Sequence, residues 1–90
     1  MKEYTIELKK IKERDRFHEL IIKTLPVPDY YGRNLDALHD VLTDIGEETE
    51  ITFLGCESFK GALPNYYKSL KRLARDAMKE NERLRIIFLE

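Results

Sequence analysis

Three aspartates, Asp36, Asp40 and Asp44, recur at four-residue intervals. On a helix turning about 100° per residue they project together, opposite the stripe formed by Leu35, Leu38 and Leu42. Seven carboxylates (Asp29, Asp36, Asp40, Asp44, Glu47, Glu48 and Glu50) fall between residues 29 and 50, against a single base, Arg33. Such a face can do three things. It can accept hydrogen bonds from a cationic partner. It can pair one carboxyl as acid with another as base. With His39 beside Asp36 and Asp40, it can also be drawn as a weak metal site.

The first reading is favoured. The sequence shows no pocket over this face, so it offers no desolvation to shift a carboxyl pKa for proton transfer. Like charges at i, i+4 on a helix cost about 0.2–0.5 kcal/mol per pair. Asp36 recovers some of that at the positive helix start, whereas Asp40 and Asp44 approach the negative end. Local stability favours a lysine at one of these positions. A merely solvated polar face is the plain alternative, because the cost is small enough to be tolerated by accident. A preorganised anionic patch is the sharper one.

Other chemistry is thin. His18 and His39 are the only histidines, and they lack a metal-ligand spacing such as His-Glu-x-x-His. No glycine-rich phosphate loop occurs. Ser58 and Ser69 have no nucleophile context, and the lone Cys56 reads as a small buried hydrophobe. The expectation is a non-enzyme that needs no cofactor and no metal.

Segments 1–28 and 51–90 are each mildly basic, so a net charge of −1 conceals an acidic block between two basic ones. Charge segregation of this kind bears on association and partner choice rather than on fold. The acidic face repels phosphates, which argues against nucleic acid there. Tyr30 and Tyr31 precede it. One should anchor the loop, and the other should lie at the rim as a rigid amphipathic contact.

The elements that must hold this face follow from periodicity. Tyr4–Leu8 alternates as a strand with one buried face. Phe17, Leu20, Ile21 and Leu25 give a helix face, with Asp15 as N-cap. Pro26 and Pro28 end that helix and hold an extended segment. Gly32 permits a turn, and Asn34 caps the acidic helix. Residues 50–54 form a second strand. Pro64 opens a long helix whose inner face is Tyr67, Leu70, Leu73, Ala74, Ala77 and Met78. Its outer face carries Lys68, Lys71, Arg72, Arg75 and Lys79. Residues 84–89, apolar on both sides, form a last, covered strand. Long helical connections between successive strands require parallel pairing. The fold expected is α/β: a small three-stranded parallel sheet packed with helices, in which residues 1–90 form one domain.

No long apolar run or small-residue cleavage site opens the chain, so neither a signal peptide nor a membrane span is expected, and a reducing cytoplasm is the simple inference. One dedicated acidic face on a small domain suggests a monomer until it meets its partner.

The segment Leu25-Pro-Val-Pro-Asp-Tyr-Tyr-Gly-Arg-Asn-Leu-Asp-Ala-Leu-His-Asp-Val-Leu-Thr43 resembles the barstar family, intracellular inhibitors of barnase-type secreted ribonucleases. The Tyr-Tyr-Gly-x-Asn-Leu-Asp-Ala-Leu-x-Asp run is close to a family signature. A looser, collinear likeness continues through Phe59 and Arg75-Asp76-Ala77 to the final strand. The resemblance implies a three-stranded parallel sheet with helices. It implies a loop and helix that plug a ribonuclease active site, with Asp40 where the substrate phosphate would lie. It also implies contacts from Asp36, Tyr30 and the region of Asn34. An acid on the last long helix contributes too, here Asp76, where the family has glutamate. His39 stands where a tryptophan is found, Asp44-Ile45-Gly46 replaces a Gly-Trp-Val run, and Arg33 replaces an acid. His39 and Asp44 complete the expected contact surface. An acidic module of the same fold aimed at another basic toxin or regulatory partner is the alternative.

Overall fold

In a computed structural model covering residues 1–90, three strands and four helices alternate along the chain. They are β1 (Lys2–Glu7), α1 (Arg14–Thr24), α2 (Leu35–Thr43), β2 (Thr49–Leu54), α3 (Cys56–Ala62), α4 (Pro64–Glu80) and β3 (Leu84–Phe88). The sheet is parallel, in the order β1-β2-β3. Ile6, Phe53 and Phe88 share one register row, and Tyr4, Ile51 and Ile86 another. Ile6, Ile51, Phe53, Leu84 and Ile86 are buried and turn one sheet face into the core. They meet Phe17, Ile21, Leu38, Leu42, Phe59, Leu70 and Ala77 in a single apolar cluster.

The α/β architecture with parallel strands is as expected, and the sheet order is now fixed. Four local expectations change. Asp15 does not cap α1: the N-cap position is Glu13, which makes no side-chain cap bond, and Asp15 lies in the first turn. There its charge still complements the positive helix start. The left-handed turn before α2 falls on Arg33 (φ 51°), not on Gly32. Gly32 is exposed, and a Cβ there would stand 3.3 Å from Asn34 Nδ2. β3 is an edge strand that is covered on one side, with Arg85 exposed and Ile87 half-buried.

The fourth change is α3, a seven-residue helix that the sequence pattern did not reveal. It follows Gly55, whose φ of +69° is left-handed and whose added Cβ would come within 2.6 Å of Lys9 N. Only glycine turns the chain there at no steric cost. Cys56 is buried just beyond that turn, its thiol donating to Phe53 O at 3.3 Å. No helix is long and apolar enough to cross a membrane.

Candidate functional site: an acidic helix and the groove beside it

α2 is fastened at both ends by side-chain amides. At its start the Ala37 N–H donates to Asn34 Oδ1 at 2.7 Å, while Asn34 Nδ2 donates to Gly32 O at 3.1 Å. One residue therefore satisfies an orphan helix donor and closes the preceding loop. At the other end Asn81, almost fully buried, donates from Nδ2 to Leu42 O and Ile45 O, each at 3.0 Å. The Leu42 carbonyl also accepts from the Ile45 N–H at 3.4 Å, whereas the Ile45 carbonyl depends on Asn81. Thr43 Oγ1 adds a bond to His39 O at 3.0 Å. Leu38, Val41 and Leu42 supply the buried side of the helix.

Its other side carries Asp36, Asp40 and Asp44, all exposed. None of the three enters an ion pair, since the three pairs present are Arg16–Glu19, His39–Glu80 and Arg85–Glu50. Nor does a side-chain hydrogen bond within the molecule engage these carboxylates. They face outward with their lone pairs free.

The face is not flat, contrary to the reading of a surface without a pocket. A groove of about 1000 Å³ runs beside it, lined by Tyr30, Asn34, Asp36, Asp40 and Asp44 together with Val27, Tyr31, Val41 and Ile45. The proline-stiffened segment 26–28 and the turn 44–47 both contribute to its lining, a depth that helical periodicity cannot convey. The result is an apolar floor with a carboxylate rim. No group of three or more His, Cys, Asp or Glu residues is arranged to hold a metal ion.

The two tyrosines part company. Tyr30 is 88% exposed and stands over the groove. Tyr31 is half-buried, and its hydroxyl bonds His18 Nδ1 at 2.7 Å. His18, fully buried on α1, bonds the Tyr66 hydroxyl through Nε2 at 2.6 Å. Burial lowers the His18 pKa, with Arg33 acting in the same direction and Asp15 opposing. Burial likewise raises the phenols of Tyr31 and Tyr66. The loop that carries Tyr30 is thus tied through a neutral imidazole to the start of α4.

Two of the expected contact residues do not line the groove. His39 does not line the groove; its Nε2 meets Glu80 Oε2 at 2.5 Å, linking α2 to α4. Asp76 is exposed on α4, one turn before Glu80, and it too is outside the groove. Tyr30, Asn34, Asp36, Asp40 and Asp44 are brought together, whereas His39 and Asp76 mark the flank toward α4.

Sequence reasoning missed His18, Glu80 and Asn81. His18 had a signal, because with Ile21 and Leu25 it keeps the i, i+3, i+7 spacing of a buried helix face. Glu80 and Asn81 had none, since their partners lie 41 and 39 positions away.

The sequence model of the barstar family, described as barnase inhibitor, matches residues 1–89. The chain belongs to the barstar family.

Proposed function

From that membership we propose that the protein inhibits a small barnase-type, guanyl-preferring ribonuclease by seating α2 and its preceding loop in the enzyme's active site. The observation that carries this reading is the row Asp36, Asp40 and Asp44, exposed and free of intramolecular partners on a helix fastened at both ends. A ribonuclease site is cationic because it binds RNA phosphates. A carboxylate imitates phosphate by accepting charge-assisted hydrogen bonds from arginine.

Asp40, in the middle of the row, is the phosphate mimic. Asp36 and Asp44 support its potential from either side. Tyr30 offers a broad, rigid contact at low ordering cost. Asn34 keeps the loop and helix in register, while His39 and Asp76 extend the contact toward α4. Because α2 needs little ordering on binding, the entropic cost of association is reduced. The acidic field speeds encounter, and salt weakens that effect. The protein acts stoichiometrically, as a binder rather than an enzyme, in the cytoplasm of the cell that makes the ribonuclease.

The test is to titrate purified protein into barnase-type ribonucleases and follow RNA cleavage at several salt concentrations. Inhibition should be complete near one inhibitor per enzyme and should weaken as salt rises. Undiminished cleavage by several such enzymes at micromolar inhibitor overturns the proposal.

A second target class is favoured by one feature. Arg33 projects a positive charge from a left-handed turn at the head of the acidic helix. A basic toxin or regulatory protein without ribonuclease activity, tolerant of that charge, would be recovered by affinity capture from host lysate.

A further inference from the structure

His18 is a fully buried titratable side chain to which the proposed function gives no part. Three aromatic rings enclose its imidazole: Phe17 of its own helix, with centroids 5.0 Å apart, Tyr31 of the loop at 5.6 Å and Tyr66 of α4 at 6.1 Å. The charged groups around it are Arg14 and Asp15 from α1 and Arg33 from the loop. Arg14 lies over the Tyr66 ring, 4.7 Å from its centroid. Asp15 is the only acid among them, and it makes no hydrogen bond to the ring.

The walls of this enclosure are not equally firm. α1 and α4 are set in the core by Phe17, Ile21, Leu70 and Leu73. Residues 26–33 are held differently. The Val27 N–H donates to Leu25 O at 2.9 Å, the Tyr31 N–H to Pro28 O at 3.0 Å, and Gly32 O receives Asn34 Nδ2. All three bonds stay within the loop or at its junctions with α1 and α2. The Tyr31 hydroxyl on His18 Nδ1 is thus the sole hydrogen bond tying this segment to the rest of the molecule.

That bond suits a neutral ring, in which one nitrogen accepts and the other donates. A protonated ring donates from both, so the hydroxyl that had donated to it loses its acceptor, and neither hydroxyl makes another hydrogen bond within the molecule. A buried cation held by hydroxyls rather than by a carboxylate is costly, and water relieves it. With two walls fixed in the core, the way to water is outward movement of the third. We propose that the His18–Tyr31 bond is a proton-operated latch: uptake of a proton by the imidazole frees residues 26–33 from α1 and α4 and takes Tyr30 off the rim of the groove.

The linkage runs both ways. Acid opens the loop, and whatever holds the loop closed keeps the imidazole neutral. If the groove is the partner surface, acid therefore lowers binding competence, and a bound partner resists protonation of His18; this consequence alone rests on the inhibitor reading.

Amide hydrogen exchange of the intact free protein checks the latch between pH 7.5 and pH 5, corrected for the intrinsic amide rates and run where closing outpaces exchange. The probes are Val27 and Tyr31 in the loop and Ile51 and Phe53 in the central strand β2. In the open loop His18 titrates near the ordinary histidine value of about 6.5, and in the closed one below it. The opening constant of the loop should rise by at least about threefold from pH 7.5 to pH 5, and by no more than about tenfold per pH unit. At every pH the loop amides should open at least about tenfold more readily than those of β2, which marks the event as local. His18→Gln should abolish the pH dependence in the loop. If that variant does not fold, Tyr31→Phe removes the tether instead, and Val27 should then open about tenfold more readily at pH 7.5 than in wild type.

A loop whose opening is independent of pH overturns the proposal. So do loop amides that exchange only together with β2, because His18 then meets solvent through global unfolding alone. A pH profile that survives His18→Gln overturns it, as does loop opening that Tyr31→Phe leaves unchanged. No ribonuclease enters the experiment, so a flat profile leaves the inhibitor reading standing and the failure of that reading leaves the latch untouched.

Discussion

The His18 imidazole stands between the hydroxyls of Tyr31 and Tyr66, at 2.7 Å and 2.6 Å, with no exposure to solvent. In the neutral ring one nitrogen donates and the other accepts. One tyrosine therefore donates to His18 while the other receives from it. The rigidity of the Tyr30 loop depends on a titratable group.

Stability should consequently fall as the solution is acidified. The folded-state pKa of His18 lies below 6.5, so between the two values the unfolded chain binds the extra proton. The His18 contribution is present above pH 6.5 and is lost as pH falls toward the folded-state value. Denaturant midpoints of wild type and His18→Gln, measured from pH 7.5 to pH 5, check this. The variant should be less stable at neutral pH by about 1–3 kcal/mol and should lose the histidine part of the pH slope. Equal slopes would refute the assignment.

Removing one hydroxyl tests the loop anchor separately. Tyr31→Phe should cost about 1–2 kcal/mol of stability, because it leaves a ring nitrogen of His18 unpaired in the interior. Tyr30→Ala should change stability by no more than about 0.5 kcal/mol, since the ring is exposed, while weakening inhibition. Thermal melts and inhibition constants for the two variants should thus rank them in opposite order.

Asp40→Ala should leave the fold intact, or stabilise it by about 0.2–0.5 kcal/mol per relieved like-charge pair. Inhibition should weaken by about 1.5–3 kcal/mol for each charge-assisted hydrogen bond lost, roughly tenfold to a hundredfold. The measurement is an inhibition constant corrected for the folded fraction. Unchanged binding per folded molecule would show that another residue occupies the anion pocket.

At Asn81 the effect should be structural and directional. Asn81→Ala strands the Ile45 carbonyl, removes the shorter of two bonds to Leu42 O and should cost about 1–3 kcal/mol. Hydrogen exchange should quicken in the last turn of α2 more than in α1. Uniform exchange across both helices would argue that Asn81 does not anchor α2.

Two glycines should respond with opposite signs. Gly55→Ala places a methyl against Lys9 in a left-handed backbone and should destabilise by more than about 1 kcal/mol. Gly61→Ala, in α3 with nothing within 4 Å of the new methyl, should stabilise by about 0.4–1 kcal/mol. Denaturant midpoints distinguish them.

Most of the frame was legible in the chain, because it rests on local signals. The stripe Leu35, Leu38, Leu42 and the cap Asn34 defined α2, and Pro64 marked the start of α4. α3 escaped because seven residues containing Gly61 are too few to show a period. The groove escaped for a different reason: its lining comes from four segments, and no sequence window contains Tyr4, Val27, Asp40 and Ile45 together. The same holds for His39, whose partner Glu80 is set by the packing of α2 on α4. Residue types announced a carboxylate face, but only tertiary structure shows which acids rim a concavity and that His39 between them is drawn to a neighbouring helix.

Clamping α2 by Asn34 in front and Asn81 behind turns it into a ruler. From Asp36 to Asp44 the span is about 12 Å, and neither end can slide to suit a visitor. Any cationic surface that reads all three acids must match that interval. A change of target can therefore be written by exchanging side chains on an unmoved rod, without redesigning the molecule that holds it.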